Sequence, residues 1–294
     1  MTFWLGSPPS RVLSVVSGAL VLVALQGCAW DAAPPADAAG SEPAVPALAR
    51  DLSPAGLELT AEATRLVARS PHVALGVPAD DDDGDDHLLD RGAYVVSYNA
   101  GRRSANWVSW RLEAADLGSA ARTNAFRADS DLPAELPVVG PDAYARSGWD
   151  RGHLCPSGDR TRSARTNALT FLMTNIVPQA PALNRGPWRD LEEDLRATSR
   201  REDTALYVVA GTVSSRNDPA LPSGVPVAAF HYKVIVALPR GAGPSDARAD
   251  DGVLAVLMPN GDEAQGHPWT DFAVAVDDVE AATGYDFFSA LPPG

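Results

Sequence analysis

Runs of β-branched and aromatic residues, alternating in places with polar ones, recur along the chain. Residues 94–98 and 107–112 form two such runs with an Asn-Ala-Gly turn between them, which predicts a β-hairpin. Further β-rich runs occupy 205–212, 227–238 and 253–258, and residues 148–153 and 173–177 read as short strands. The period changes after Pro187, a residue suited to a first helical turn. Trp188, Leu191 and Leu195 follow at i, i+3 and i+7, so this helix should bury one stripe. Helices are also predicted over 57–67, 164–172 and 277–283, the last closed by Gly284, while 120–140 looks irregular. Strands and helices mix without a βαβ rhythm. The expected fold class is therefore α+β, with a mixed, mainly antiparallel sheet core.

The ends of the chain carry a different pattern. Residues 1–28 have one positive charge, Arg11, then an apolar run from Val12 to Leu25, a signal-peptide pattern. It ends at Leu25-Gln26-Gly27-Cys28, which resembles a bacterial lipoprotein box with Cys28 as the lipidated residue; ordinary signal cleavage is the alternative. Either way the chain is expected to leave the cytoplasm, tethered to a membrane or released as a secreted or periplasmic protein. Residues 29–69 read as an Ala/Pro-rich tether, and 70–294 as one folded domain. If Cys28 is acylated, Cys155 has no partner, and a buried, inert thiol is expected there.

The net charge of −14 argues against a protein that attracts polyanions with its whole surface. Locally the balance reverses: residues 146–202 hold ten arginines against seven acids. A basic island on an acidic body is the expectation. Lys233 is the only lysine, so cationic work falls to arginine, whose fork suits bidentate phosphate contact. The acidic run at residues 80–86 lacks the first and last ligands of a calcium loop and is expected to be a solvated loop away from any nucleic-acid site.

The chemistry concentrates in Trp149-Asp150-Arg151-Gly152-His153, Thr174-Asn175-Ile176-Val177-Pro178-Gln179 and Leu183-Asn184-Arg185-Gly186-Pro187-Trp188. An imidazole can deprotonate water near neutral pH, and an arginine fork can neutralise charge on a phosphate. An asparagine amide oxygen can be protein ligand enough for a hard divalent cation that keeps its waters. Together these residue types suit metal-assisted phosphodiester cleavage. Asn184 has a second reading as a helix N-cap, Asn175 as a turn asparagine, and Glu192 as a surface partner of Arg189 or Arg196. His72, His87, His231 and His267 lack a comparable context and are expected to be structural or exposed.

These motifs, with Leu191-Glu192, with Val279-Glu280 and Thr283-Gly284-Tyr285-Asp286-Phe287-Phe288, and with a fainter match from His72 through Trp110, occur in one order over about residues 70–292. In that order the chain resembles the DNA/RNA non-specific endonucleases of the ββα-metal (His-Me finger) type, which include endonuclease G. The resemblance implies a sequence-non-specific endonuclease that hydrolyses DNA and RNA, single- or double-stranded, to 5′-phosphate products. It implies Mg2+ as cofactor, with Mn2+ as a substitute. His153 would be the general base, Asn184 the metal ligand, and Glu192 the holder of metal-bound water. Arg151 and Arg196 would clamp phosphate, Asn175 would support the site by hydrogen bonds, and Asp150 and Gly152 would shape the tetrad. A further arginine is expected upstream, and Arg122 and Arg127 both qualify. A homodimer is a further arrangement open to the chain. A catalytically silent nucleic-acid-binding lipoprotein and a small-nucleotide phosphodiesterase are the competing readings.

Overall fold

In the computed structural model, which describes residues 60–201, 203–247 and 252–291, the apolar runs assemble into one seven-stranded sheet. Its strands, in order across the sheet, are β1 (His87–Asp90), β2 (Val95–Asn99), β3 (Ser104–Leu112), β6 (Thr204–Val213), β7 (Phe230–Pro239), β8 (Gly252–Pro259) and β9 (Ala273–Val274). Every neighbouring pair is antiparallel. A separate two-stranded ribbon joins β4 (Asp150–His153) to β5 (Ile176–Gln179), also antiparallel. The α+β class with an antiparallel core is as the sequence pattern implies.

Side chains alternate between two faces of the sheet, because successive residues of a strand point opposite ways. On β6, Leu206, Val208 and Ala210 enter one core, and Ala205, Tyr207 and Val209 enter the other. Helix α4 (Pro187–Arg201) covers the first face with Trp188, Leu191 and Leu195, each essentially inaccessible. The ribbon adds Leu154 and Val177 to the same core. The second face is covered by Leu66 of α1 (Ala61–Arg69), by Val279 of α5 (Val276–Thr283), and by Phe287 and Phe288. Gly284, with φ of 85°, ends α5 in the left-handed region that a side chain would disfavour.

Several boundaries move. The folded domain begins earlier than residue 70: α1 is capped by Thr60, whose side chain accepts from Ala63 N, and it buries Ala63 and Leu66. The rest of the tether, Cys28 and the signal segment lie outside the described residues. Helix α2 (Ala164–Leu169) is shorter than its apolar pattern, and residues 173–175 form a 3-10 turn rather than a strand start. Beyond α5 the chain makes a single bridge, Ala79 to Asp286. The acidic run is not wholly solvated. Asp85 and Asp86 turn inward, where the buried Asn99, Asn106 and Ser97 donate hydrogen bonds to them. Tyr285, from the second core, also donates to Asp86, so this acidic loop lies on the side of the sheet remote from α4.

Candidate active site

The ribbon and α4 meet above the first face and leave a cleft of about 370 Å³. Its lining includes Arg122, Arg151, His153, Asn184, Arg185, Arg189, Glu192 and Arg196. Residues from the 120s loop, β4, the α3 turn (Pro181–Asn184) and α4 thus converge, although they span more than seventy positions in the chain.

His153 ends β4 with its ring wedged between two phenylalanines. Phe171 meets it edge-on at 5.0 Å and Phe126 lies tilted at 5.4 Å. Its Nε2 is buried without a hydrogen-bond partner among the described residues, and the residue lines the cleft. Burial, and secondly the charge of Arg122, push the imidazole down to about 3, against 6.5 ordinarily. His153 is therefore neutral, the state in which it can accept a proton.

The same two phenylalanines carry the arginines that flank it. The Arg151 guanidinium stacks over Phe126 at 4.7 Å, and that of Arg122 over Phe171 at 5.2 Å. Arg122 is further held by Asn124 Oδ1. Arg127, the other upstream candidate, instead donates to the Ala168 carbonyl at 2.6 Å and does not line the cleft. Among the described residues, Arg122 and Arg151 are the two cleft arginines with no carboxylate partner. Arg185 is paired with Asp150, Arg189 with Asp190 and Glu193, and Arg196 with Asp159 at 3.0 Å. The electropositive lining expected from local charge is present, with its free cations beside the histidine.

Asn184 is the last residue of α3, and Asp150 orients it. Asn184 Nδ2 donates to Asp150 Oδ2 at 2.8 Å, which leaves the amide oxygen as the atom available to the cleft. It does not cap α4; the Gly186 carbonyl accepts the first helical bond, from Asp190 N. Arg185 grips the same carboxylate with two donors, at 2.8 and 2.6 Å. Burial alone would raise the Asp150 carboxyl, but the hydrogen bonds from Arg185 and Asn184 outweigh it and hold the group below its usual range. Asp150 thus anchors Asn184 and Arg185.

Glu192 lines the cleft from α4, one turn beyond Trp188. Its Oε1 accepts from Lys233 Nζ at 3.2 Å, and its Oε2 stands 4.0 Å from Arg196. Burial raises its carboxyl, with Lys233 and Arg196 opposing. The partner is neither Arg189 nor chiefly Arg196, but the lysine of β7. A charged residue in the middle of an otherwise apolar strand was the available signal for it.

Asn175 does not reach the cleft. It is fully buried, its Oδ1 accepting from Cys155 N and its Nδ2 donating to the Cys155 and Thr170 carbonyls. These bonds tie the residue after β4 to the segment that leads into β5, a supporting role. Gly152 is required by packing, since a Cβ there would overlap the buried Gln179 side chain. Cys155 is a buried free thiol that burial pushes far above its ordinary value, as suits an inert residue.

The donor set fits a hard cation that keeps most of its water. One oriented amide oxygen and one carboxylate face the cleft, and no cluster of three or more His, Cys, Asp or Glu among the described residues is arranged to enclose a metal.

Comparison with known proteins agrees with this geometry. Residues 74–294 match the family described as DNA/RNA non-specific endonuclease. A nuclease of Nostoc sp. is 41% identical over 210 residues, covering 71% of this chain and 76% of the relative. The mitochondrial nuclease EXOG of Danio rerio is 34% identical over 217 residues, 67% of this chain and 60% of the relative. Among solved structures, a chain of the EndoG/EndoGI complex superposes with a TM-score of 0.63 at 25% identity, covering 75% of this chain and 91% of that one. The chain belongs to the DNA/RNA non-specific endonuclease family, whose members hydrolyse nucleic-acid phosphodiester bonds.

Proposed function

We propose that this protein is an exported, metal-dependent endonuclease that cuts DNA and RNA, single- or double-stranded, with little sequence preference. The observation that carries this reading is the convergence of a neutral His153, an oriented Asn184 oxygen and two uncompensated arginines in one cleft. His153 takes the proton of the attacking water. Arg122 and Arg151 bind phosphate oxygens and stabilise the charge that grows on them. Asn184 and the carboxylate of Glu192 would hold Mg2+, directly and through water respectively, with Mn2+ as a substitute. Bound there, the cation would supply Lewis-acid stabilisation to the leaving oxygen. With the 3′ oxygen as leaving group, as the family resemblance implies, the products would carry 5′-phosphates. Contacts of this kind recognise the backbone rather than bases, hence the breadth of substrate.

The test is a nicking assay on supercoiled plasmid, with RNA in parallel. Cleavage should require Mg2+ or Mn2+, stop with chelator, and be lost in His153→Ala and Asn184→Ala. A folded parent that leaves both substrates intact with Mg2+, Mn2+ and Ca2+ would overturn the reading. Export rests on the residue 1–28 pattern. Acylation at Cys28 predicts incorporation of labelled fatty acid that Cys28→Ser abolishes; release by ordinary signal cleavage predicts none.

A further inference from the structure

Of the 24 basic residues in the chain, 23 are arginines and only Lys233 is a lysine. It is also wholly inaccessible, in the middle of β7. Its neighbours two positions away on the same face are His231 and Ile235, the latter in the core beneath α4. Such a site ordinarily selects an apolar residue, because an ammonium removed from water loses hydration that its partners must replace. Two groups replace it here, both from α4. Nζ lies 3.5 Å from the centroid of the Trp188 ring and 3.2 Å from Glu192 Oε1. The compact ammonium can rest on the indole face and still reach the carboxylate. An arginine, with a shorter aliphatic stem and a bulkier planar head, lacks that geometry.

Glu192 is thereby held from beneath. Its Oε1 is pinned to the sheet, while Oε2 is the oxygen left toward Arg196 and the cleft. Arg196 does not hold Glu192 with equal strength, since at 4.0 Å its Nη1 is committed to Asp159 Oδ1 at 3.0 Å. Asp159 is itself fixed by the indole N–H of Trp110 at 2.9 Å. The charges around Glu192 therefore alternate, with Lys233 below, Arg196 and then Asp159 beside it.

We propose that Lys233 is a positioning residue for the nuclease reaction: from the sheet beneath α4 it fixes the rotamer of Glu192, so that one carboxylate oxygen is always presented to the hydrated cation site. This rests on the nuclease reading above. Lys233 touches neither substrate nor cation; it acts through Glu192 alone.

That restriction makes it testable with a double-mutant cycle of Lys233→Met and Glu192→Gln, measured for kcat, KM and Mn2+ affinity by calorimetry on folded protein. K233M should lower kcat and weaken Mn2+ binding by about tenfold, the scale of losing support behind a metal site, with KM changed less than about twofold. In the E192Q background, K233M should change neither quantity. If K233M alone does not fold, Lys233→Arg, which keeps the charge but moves it off Glu192 Oε1, takes its place in the cycle and should weaken Mn2+ binding in the same direction. Additive losses, a change in KM alone, or a K233M enzyme equal to the parent would each overturn the proposal. A parent without metal-dependent cleavage would instead overturn the nuclease reading, and the role of Lys233 with it.

Discussion

Replacing Asp150 with alanine asks whether the Asn184 amide is held or merely nearby. Asp150 Oδ2 accepts from Asn184 Nδ2 at 2.8 Å, and the carboxylate takes two further donors from Arg185. The Arg185 side chain is 68% exposed, so that ion pair is screened and adds little. The bond from Asn184 is more sheltered and charge-assisted, worth about 1.5–3 kcal/mol. Asp150→Ala should therefore cost about 1.5–3 kcal/mol of folding stability, readable by urea titration. Its effect on the site should be sharper. Without the acceptor, the amide and the turn that carries it lose their fixed position, and the cation must order them as it binds. The same 1.5–3 kcal/mol of lost orientation corresponds to about 10–150-fold weaker cation binding. The assay is the initial rate of plasmid nicking against Mg2+ concentration. Half-saturation should rise by about 10–100-fold, with most of the maximal rate recovered at saturating Mg2+. Asp150→Asn, which keeps an acceptor, should lie between alanine and parent. A folded Asp150→Ala enzyme with the parent's Mg2+ dependence would refute the anchoring argument.

Two further outcomes are expected. Arg122→Ala should reduce kcat/KM by about 100-fold, the loss of a charge-assisted phosphate contact, whereas Arg127→Ala should stay within about threefold of parent; equal effects would remove the distinction drawn from the cleft. Burial holds His72, His153 and His231 each near 3, against 6.5 ordinarily. Below about pH 6.5 the unfolded chain binds protons that the folded chain refuses, so stability is complete above that pH and lost as pH falls toward 3. Asp80, raised to about 6 by burial, opposes this over part of the range. His231→Gln should remove about one proton from the uptake on unfolding, or about 1.4 kcal/mol per pH unit near pH 5, in urea titrations across pH 5–7. An unchanged slope would show that His231 is not held neutral.

The sequence by itself determined what local rules govern. The period of Trp188, Leu191 and Leu195 marked the buried stripe of α4, and Gly284 marked the end of α5, because helix geometry and backbone sterics act over a few residues. The tetrad ending in His153 and the turn carrying Asn184 were legible as chemistry because their residue types and order are distinctive. Asn175 was legible as important, but not that its amide would bond to backbone groups away from the cleft. Arg122 and Arg127 were equivalent in sequence, five residues apart in an irregular loop; only the docking of that loop against Phe171 sends one into the cleft and the other to the Ala168 carbonyl. Lys233 was conspicuous in composition yet without a role, since its partner is 41 positions away on another element. Such pairings depend on strand register and on how α4 lies across the sheet. Those are set by the sum of many apolar contacts in the core, which no short stretch of sequence contains.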